Sequence, residues 1–181
     1  GISFYDTNYC YDIETNSWTT LANMPSVFRN HSAVAVGNKI YVMGGDNGTY
    51  YCKTNYCYDT ETDGWTTLTI LPAAKADHTA VAVGNKIYVM GGYDGSVYNT
   101  NYCYDTETDI LRALTNTPKA IANHTAVAVG NKIYVMGGND SGYYNTNYCY
   151  NTETNTWTTL AALPAAMSHH TAVAVGDKIY V

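Results

Sequence analysis

The sequence predicts an all-β fold, a β-propeller built from four-stranded antiparallel blades, and three observations carry that reading. A histidine recurs at His31, His78, His124 and His170, at intervals of 47, 46 and 46, and Trp18, Trp65, Leu111 and Trp157 keep the same intervals. A period of that size marks a solenoid, a propeller or an array. Residues 78–92 recur letter for letter at 124–138 and with one change at 31–45, as two apolar runs separated by Gly-Asn. Such a pattern is the signature of a tight β-hairpin. No unit carries apolar residues at the 3.6-residue spacing of a helix, which excludes helical solenoids.

The second complete copy serves as the type for the elements of one unit. Strand a spans Thr79–Val83 and strand b Lys86–Met90, joined by the Gly84-Asn85 turn. The b–c loop starts at residues 91–95, Gly-Gly-Tyr-Asp-Gly, dense in residues that accept turn conformations. Strand c spans Asn101–Asp105, the c–d turn is Thr-Glu-Thr-Asp at 106–109, and strand d runs from Leu111 to Leu114. The following d–a loop contains Pro118, a residue suited to an interrupted strand edge. Four antiparallel strands repeated in this way form propeller blades. Side-chain size sets their order. A blade is a wedge, so the small residues Ala80, Ala82 and Gly84 place strand a nearest the axis, and Tyr102, Tyr104 and the repeated Trp place strands c and d toward the rim.

The unit is out of phase with the chain. Residues 8–12 and Trp18 to Leu21 read as strands c and d, and the last twelve residues read as strands a and b. The preferred reading is one domain over residues 1–181, a ring of four blades. Its closing blade is a composite of 1–22 and 170–181, with residues 178–181 paired to 8–12 so that no sheet edge is left open. A longer array, and completion by copies of the same chain, are the other two readings.

Composition narrows the partners. Charged residues are 13% of the chain and the net charge is −6. The Lys and Arg residues are scattered singly, whereas nucleic acid and anionic membranes attract clustered basic side chains. No apolar run approaches the roughly 20 residues that span a bilayer, and the first four residues lack the pattern of a signal peptide. Nothing in these residues sets the compartment. Nineteen Tyr against two Phe favours rings that can be buried while the hydroxyl hydrogen-bonds. Cys10, Cys57, Cys103 and Cys149 share one repeat position and Cys52 stands apart. Equivalent positions in separate sheets lie too far apart for disulfides, so these read as small buried thiols.

The double glycines Gly44-Gly45, Gly91-Gly92 and Gly137-Gly138 are each followed by a tyrosine, Tyr58, Tyr104 or Tyr150, and seven residues later by Trp65, Leu111 or Trp157; Tyr11 and Trp18 make the same pair. In this the chain resembles the kelch repeat family over essentially its whole length. The resemblance implies a propeller that binds other proteins. Kelch propellers usually have five to seven blades, however, and one blade here has Leu111 in place of the tryptophan.

Comparing the units separates scaffold from candidate site. The a–b and c–d turns barely vary, and the b–c and d–a loops vary strongly. Both variable loop types leave the same face, because strand a starts where strand b ends. Candidate binding residues are Phe4, Tyr5, Tyr50, Tyr51, Lys53, Tyr93, Tyr98, Tyr143 and Tyr144 from b–c loops, and Phe28, Arg29, Lys75, Asp77 and His169 from d–a loops. Tyr and Arg commonly anchor interfaces, and recognition sits on loops held by a rigid scaffold. His31, His78, His124 and His170 open the inner strands and form the one conceivable metal ring. The competing and preferred reading has each imidazole hydrogen-bonding locally to cap its loop, with no metal or other cofactor. Catalysis needs unlike residues convergent at one place, whereas here each reactive type recurs once per unit, which marks scaffold. The sequence therefore reads as a non-enzymatic scaffold for a protein or peptide. Glycan binding by the Tyr- and Asn-rich face and self-assembly of near-identical units are the alternatives.

Overall fold

The computed structural model describes residues 5–181, and every regular element among them is a strand. The hairpin β1 (Asn8–Asp12) and β2 (Ser17–Leu21) comes first. Three four-stranded blades follow. The first holds β3 (Ser32–Val36), β4 (Lys39–Met43), β5 (Asn55–Asp59) and β6 (Gly64–Thr67). The second holds β7 (Thr79–Val83), β8 (Lys86–Met90), β9 (Asn101–Asp105) and β10 (Ile110–Ala113). The third holds β11 (Thr125–Val129), β12 (Lys132–Met136), β13 (Asn147–Asn151) and β14 (Thr156–Thr159). The hairpin β15 (Val173–Val175) and β16 (Lys178–Tyr180) closes the chain. Neighbouring strands within a blade are antiparallel and in sequence order.

Local chemistry explains each turn. Gly37, Gly84 and Gly130 lie at φ near +60° while the following Asn does not, the pattern of a turn with its positive φ at the first central residue. At each c–d turn the carboxylate or amide oxygen of Asp12, Asp59, Asp105 or Asn151 accepts the backbone N–H groups two and three residues on. These Asx turns make the reversal self-contained.

The core lies between blades. Alternation along β4 sends Tyr41 and Met43 to one side and Ile40 and Val42 to the other. Tyr41, Met43 and Cys57 pack on Ile87, Val89 and Tyr104 of the next blade, and Val81, Tyr88 and Met90 pack on Ile133, Val135 and Tyr150 of the one after. The inner strands run side by side, β3 against β7, β7 against β11 and β11 against β15, as the Ala and Gly content of strand a predicts. Outer strands are stapled by a repeated bond set. Asp63, Asp109 and Asn155, each at positive φ, accept the hydroxyl of Tyr58, Tyr104 or Tyr150 and the N–H of Ala22, Thr69 or Thr115 from the preceding unit.

Trp65 and Trp157 add an indole N–H bond to the carbonyls of Ala22 and Thr115 at 2.9 and 3.0 Å. Leu111 has no donor for the equivalent Thr69 carbonyl. Replacing Leu111 with Trp is expected to raise stability by about 1 kcal/mol, the net worth of one such bond, read as a higher urea midpoint. A lower midpoint would show that the half-buried site has collapsed around leucine.

One expectation is corrected. β1–β2 and β15–β16 form two separate two-stranded sheets, so β16 does not pair with β1 and the composite blade is not built. Each hairpin is seated on its own neighbour instead: β15 lies beside β11, and Ala22, just after β2, is bonded to Asp63 and Trp65 of the first blade.

Candidate functional site

The variable loops form one face, tied together by backbone. Arg29 and Asp46, Ala76 and Tyr93, and Ala122 and Asn139 exchange paired N–H to carbonyl bonds between a d–a loop and the b–c loop of the same blade. The second glycine of each pair, Gly45, Gly92 or Gly138, donates its N–H to Lys75, Ile121 or Met167 of the next unit at 2.8 to 2.9 Å. Nearer the axis, Asn30, Asp77, Asn123 and His169 all adopt positive φ. They form a ladder in which Asp77 donates to the Asn30 carbonyl, Asn123 to Asp77 and His169 to Asn123, at 3.1, 2.9 and 2.9 Å.

Of the predicted face residues, Tyr5, Arg29, Tyr50, Tyr51, Lys53, Tyr143 and His169 are exposed, and Asp77, Tyr93, Tyr98 and Tyr144 are half-buried. Phe4 lies outside the described residues. Tyr51 meets Tyr93 edge to face at 5.6 Å, an arrangement aromatic pairs favour, and Lys119 sits over the Tyr144 ring at 3.5 Å. Arg29 Nε donates to both oxygens of Asp46 at 3.0 and 2.9 Å, and this bond raises the guanidinium further above its ordinary value. With Tyr50 and Tyr51 the pair lines a small cleft of about 150 Å³. Burial raises the Asp77 carboxyl, while His169 and Arg29 pull it down.

Two predicted face residues belong to the core instead. Phe28 is 6% exposed and Lys75 is 0% exposed. They occupy the same repeat position as Ile121, between blades, and that packing is invisible from loop membership. The Lys75 ammonium donates to the Gly91 carbonyl at 3.0 Å and to the Thr100 hydroxyl at 2.6 Å, with the Tyr102 ring 4.9 Å away. Burial pushes its pKa down to about 8, against the opposing pull of Asp94. Asp46 and Asp94 complete the polar face and were not among the predicted residues. Asp94 accepts the Tyr98 hydroxyl at 2.7 Å, and the available signal was the place of Asp46 and Asp94 one and two residues after a double glycine.

His78, His124 and His170 each reach back to the preceding blade, where the Cε1 atom lies against Gly44, Gly91 or Gly137. Among the described residues no three of His, Cys, Asp or Glu come together as a metal site requires. His124 does not cap its own loop: its Nε2 pairs with Thr79 Oγ1 of the preceding blade at 2.8 Å. All five cysteines are free, and burial raises the thiols of Cys52, Cys57, Cys103 and Cys149 rather than activating them. Two further clefts, of about 260 and 210 Å³, lie between blades near the c–d turns. No helix among the described residues is long and apolar enough to cross a membrane.

Repeated four-stranded blades that pack face to face, with a constant side and a variable side, define a propeller-type repeat protein. The KLHDC2/KLHL20/DRC7 Kelch-repeats domain model matches residues 2–181, so this chain belongs to the kelch repeat family. Kelch-like protein 25 of Rattus norvegicus and of Mus musculus is 49% identical over 45 residues, and that of Homo sapiens 47%. Each match covers 25% of this chain and 8% of the relative. Domains of this family are typically protein-interaction scaffolds and generally non-catalytic.

Proposed function

We propose that this chain is a non-enzymatic scaffold that binds a protein or peptide on the face of its b–c and d–a loops. The observation that carries the reading is a run of exposed aromatic side chains on a backbone-tied surface. Tyr50 and Tyr143 are 71% and 70% exposed, and Tyr50 shares a cleft with the Arg29–Asp46 ion pair and with Tyr51, which meets Tyr93. Large exposed rings on a rigid frame give contact area at little ordering cost.

The test is selection of peptides from a displayed library, followed by affinity measurements on variants. Tyr50→Ala and Tyr51→Ala are each expected to weaken a selected peptide at least about tenfold, equal to about 1.4 kcal/mol, while Glu107→Ala in a c–d turn leaves affinity unchanged. Equal losses at Glu107 would overturn the choice of face. The same exposed rings, beside the amides of Asn47 and Asn145, also suit sugar stacking, so a glycan array read with the Tyr50→Ala control separates the two ligand classes.

A further inference from the structure

Lys75 fills a repeat position that is apolar in the other units, where Phe28, Ile121 and Met167 stand. A buried charge is costly unless its hydrogen bonds are met, so the groups that this ammonium reaches show what it holds. Its backbone acts as at the later junctions. The N–H donates to the Cys52 carbonyl at 3.1 Å and the carbonyl accepts the Gly45 N–H at 2.8 Å, both in the b–c loop of the first blade. Ile121 makes the same two bonds with Tyr98 and Gly92, and Met167 with Tyr144 and Gly138.

The side chain is what differs. It crosses to the b–c loop of the second blade and donates to the Gly91 carbonyl at 3.0 Å and the Thr100 hydroxyl at 2.6 Å. These are the first and last residues of that loop, directly after β8 and directly before β9. In the first blade the equivalent groups bond each other, Thr54 Oγ1 donating to the Gly44 carbonyl at 3.3 Å. In the second the ammonium joins them, with the Tyr98 and Tyr102 rings 5.6 and 4.9 Å away. Hydrogen bonds from an ionised donor are about twice as strong as neutral ones. One residue thereby holds two neighbouring b–c loops, and those loops carry Tyr51 and Tyr93, whose rings meet edge to face.

We propose that Lys75 is the positioning residue of the binding face, its ammonium locking the second b–c loop against the first so that Tyr51 and Tyr93 meet a partner in one fixed arrangement. The role rests on that face being the binding surface. Loops ordered before binding raise affinity by lowering the ordering cost.

The test is Lys75→Met, which puts there the residue type found at Met167. An apolar side chain in place of a buried charge is commonly neutral or stabilising, so the urea midpoint is expected to hold or rise. Hydrogen exchange at pH 7, read by mass spectrometry, is expected to speed up at least about tenfold across residues 91–100. Across residues 137–146, the b–c loop of the third blade, it should stay unchanged. Greater global stability only slows exchange, so faster exchange confined to one loop is a change that a merely structural role would not give. A peptide selected from the displayed library on the unaltered protein is expected to bind the variant about three- to tenfold more weakly. Unchanged exchange across 91–100, or faster exchange in both loops with a lower midpoint, overturns the proposal. Faster exchange across 91–100 with unchanged peptide affinity overturns the positioning role and leaves the face standing. If no peptide can be selected, the reading of the face fails, and the exchange rates still decide whether Lys75 locks the loop.

Discussion

Acidification from pH 6.5 toward pH 4 is expected to cost this protein folding stability at a rate that climbs to about 2.7 kcal/mol per pH unit, because His78 and His124 are buried as neutral imidazoles. Both are pushed down to about 3, mainly by burial. Lys75, His124 and His31 add repulsion at His78, and His170 and Lys75 add it at His124. The unfolded chain takes up a proton on each ring near the ordinary value of 6.5, and the folded chain takes up neither until about pH 3. Two protons bound only by the unfolded state give a slope of twice 1.36 kcal/mol per unit. The stabilisation is complete above about pH 6.5 and lost as pH falls toward the folded value. Burial lowers His31 and His170 as well, which steepens the fall. Urea midpoints at pH 7, 6 and 5 read the effect, and the double variant His78→Gln with His124→Gln should flatten the curve. Midpoints that hold constant down to pH 5 would refute it.

Gly91→Ala is expected to be among the most damaging single substitutions, at about 2–5 kcal/mol. A β-carbon there would stand 2.3 Å from the Ile121 carbonyl oxygen and 2.9 Å from Cε1 of His124, on a backbone held at φ +64°. The left-handed conformation costs a side chain about 1–2 kcal/mol, and forcing atoms into a packed interior costs roughly 1–3 more. Gly84→Ala is the matched control, since φ is +60° and a β-carbon would meet nothing within 4 Å. That substitution bears the conformational term alone, about 1–2 kcal/mol. Urea unfolding of the two variants side by side measures the contact between blades. Equal losses would mean that the double glycine serves only its own loop.

Much of the fold was legible before any coordinates. Strands β7, β8 and β9 coincide with the residues read as a, b and c, because alternation and turn chemistry act within a few residues. Strand d is placed one residue earlier, at Ile110–Ala113, since its pairing starts directly after the positive-φ Asp109. Of the candidate face, the exposed tyrosines and Arg29 follow from loop variability. Lys75 and Phe28 could not be separated from them, because each turns inward onto groups that only the folded blade brings near, Gly91, Thr100 and Tyr102 for Lys75 and Tyr56 for Phe28.

The sequence by itself determined the repeat, the strands, their order within a blade and the kelch resemblance, all of which rest on patterns no longer than one unit. Only the tertiary structure decided that the histidines lie against a neighbour's glycine, that Lys75 is core, and that β16 does not meet β1. Each depends on how one blade seats on the next. That seating is set by the summed packing of Tyr, Met, Ile and Val across two units, which no single repeat encodes.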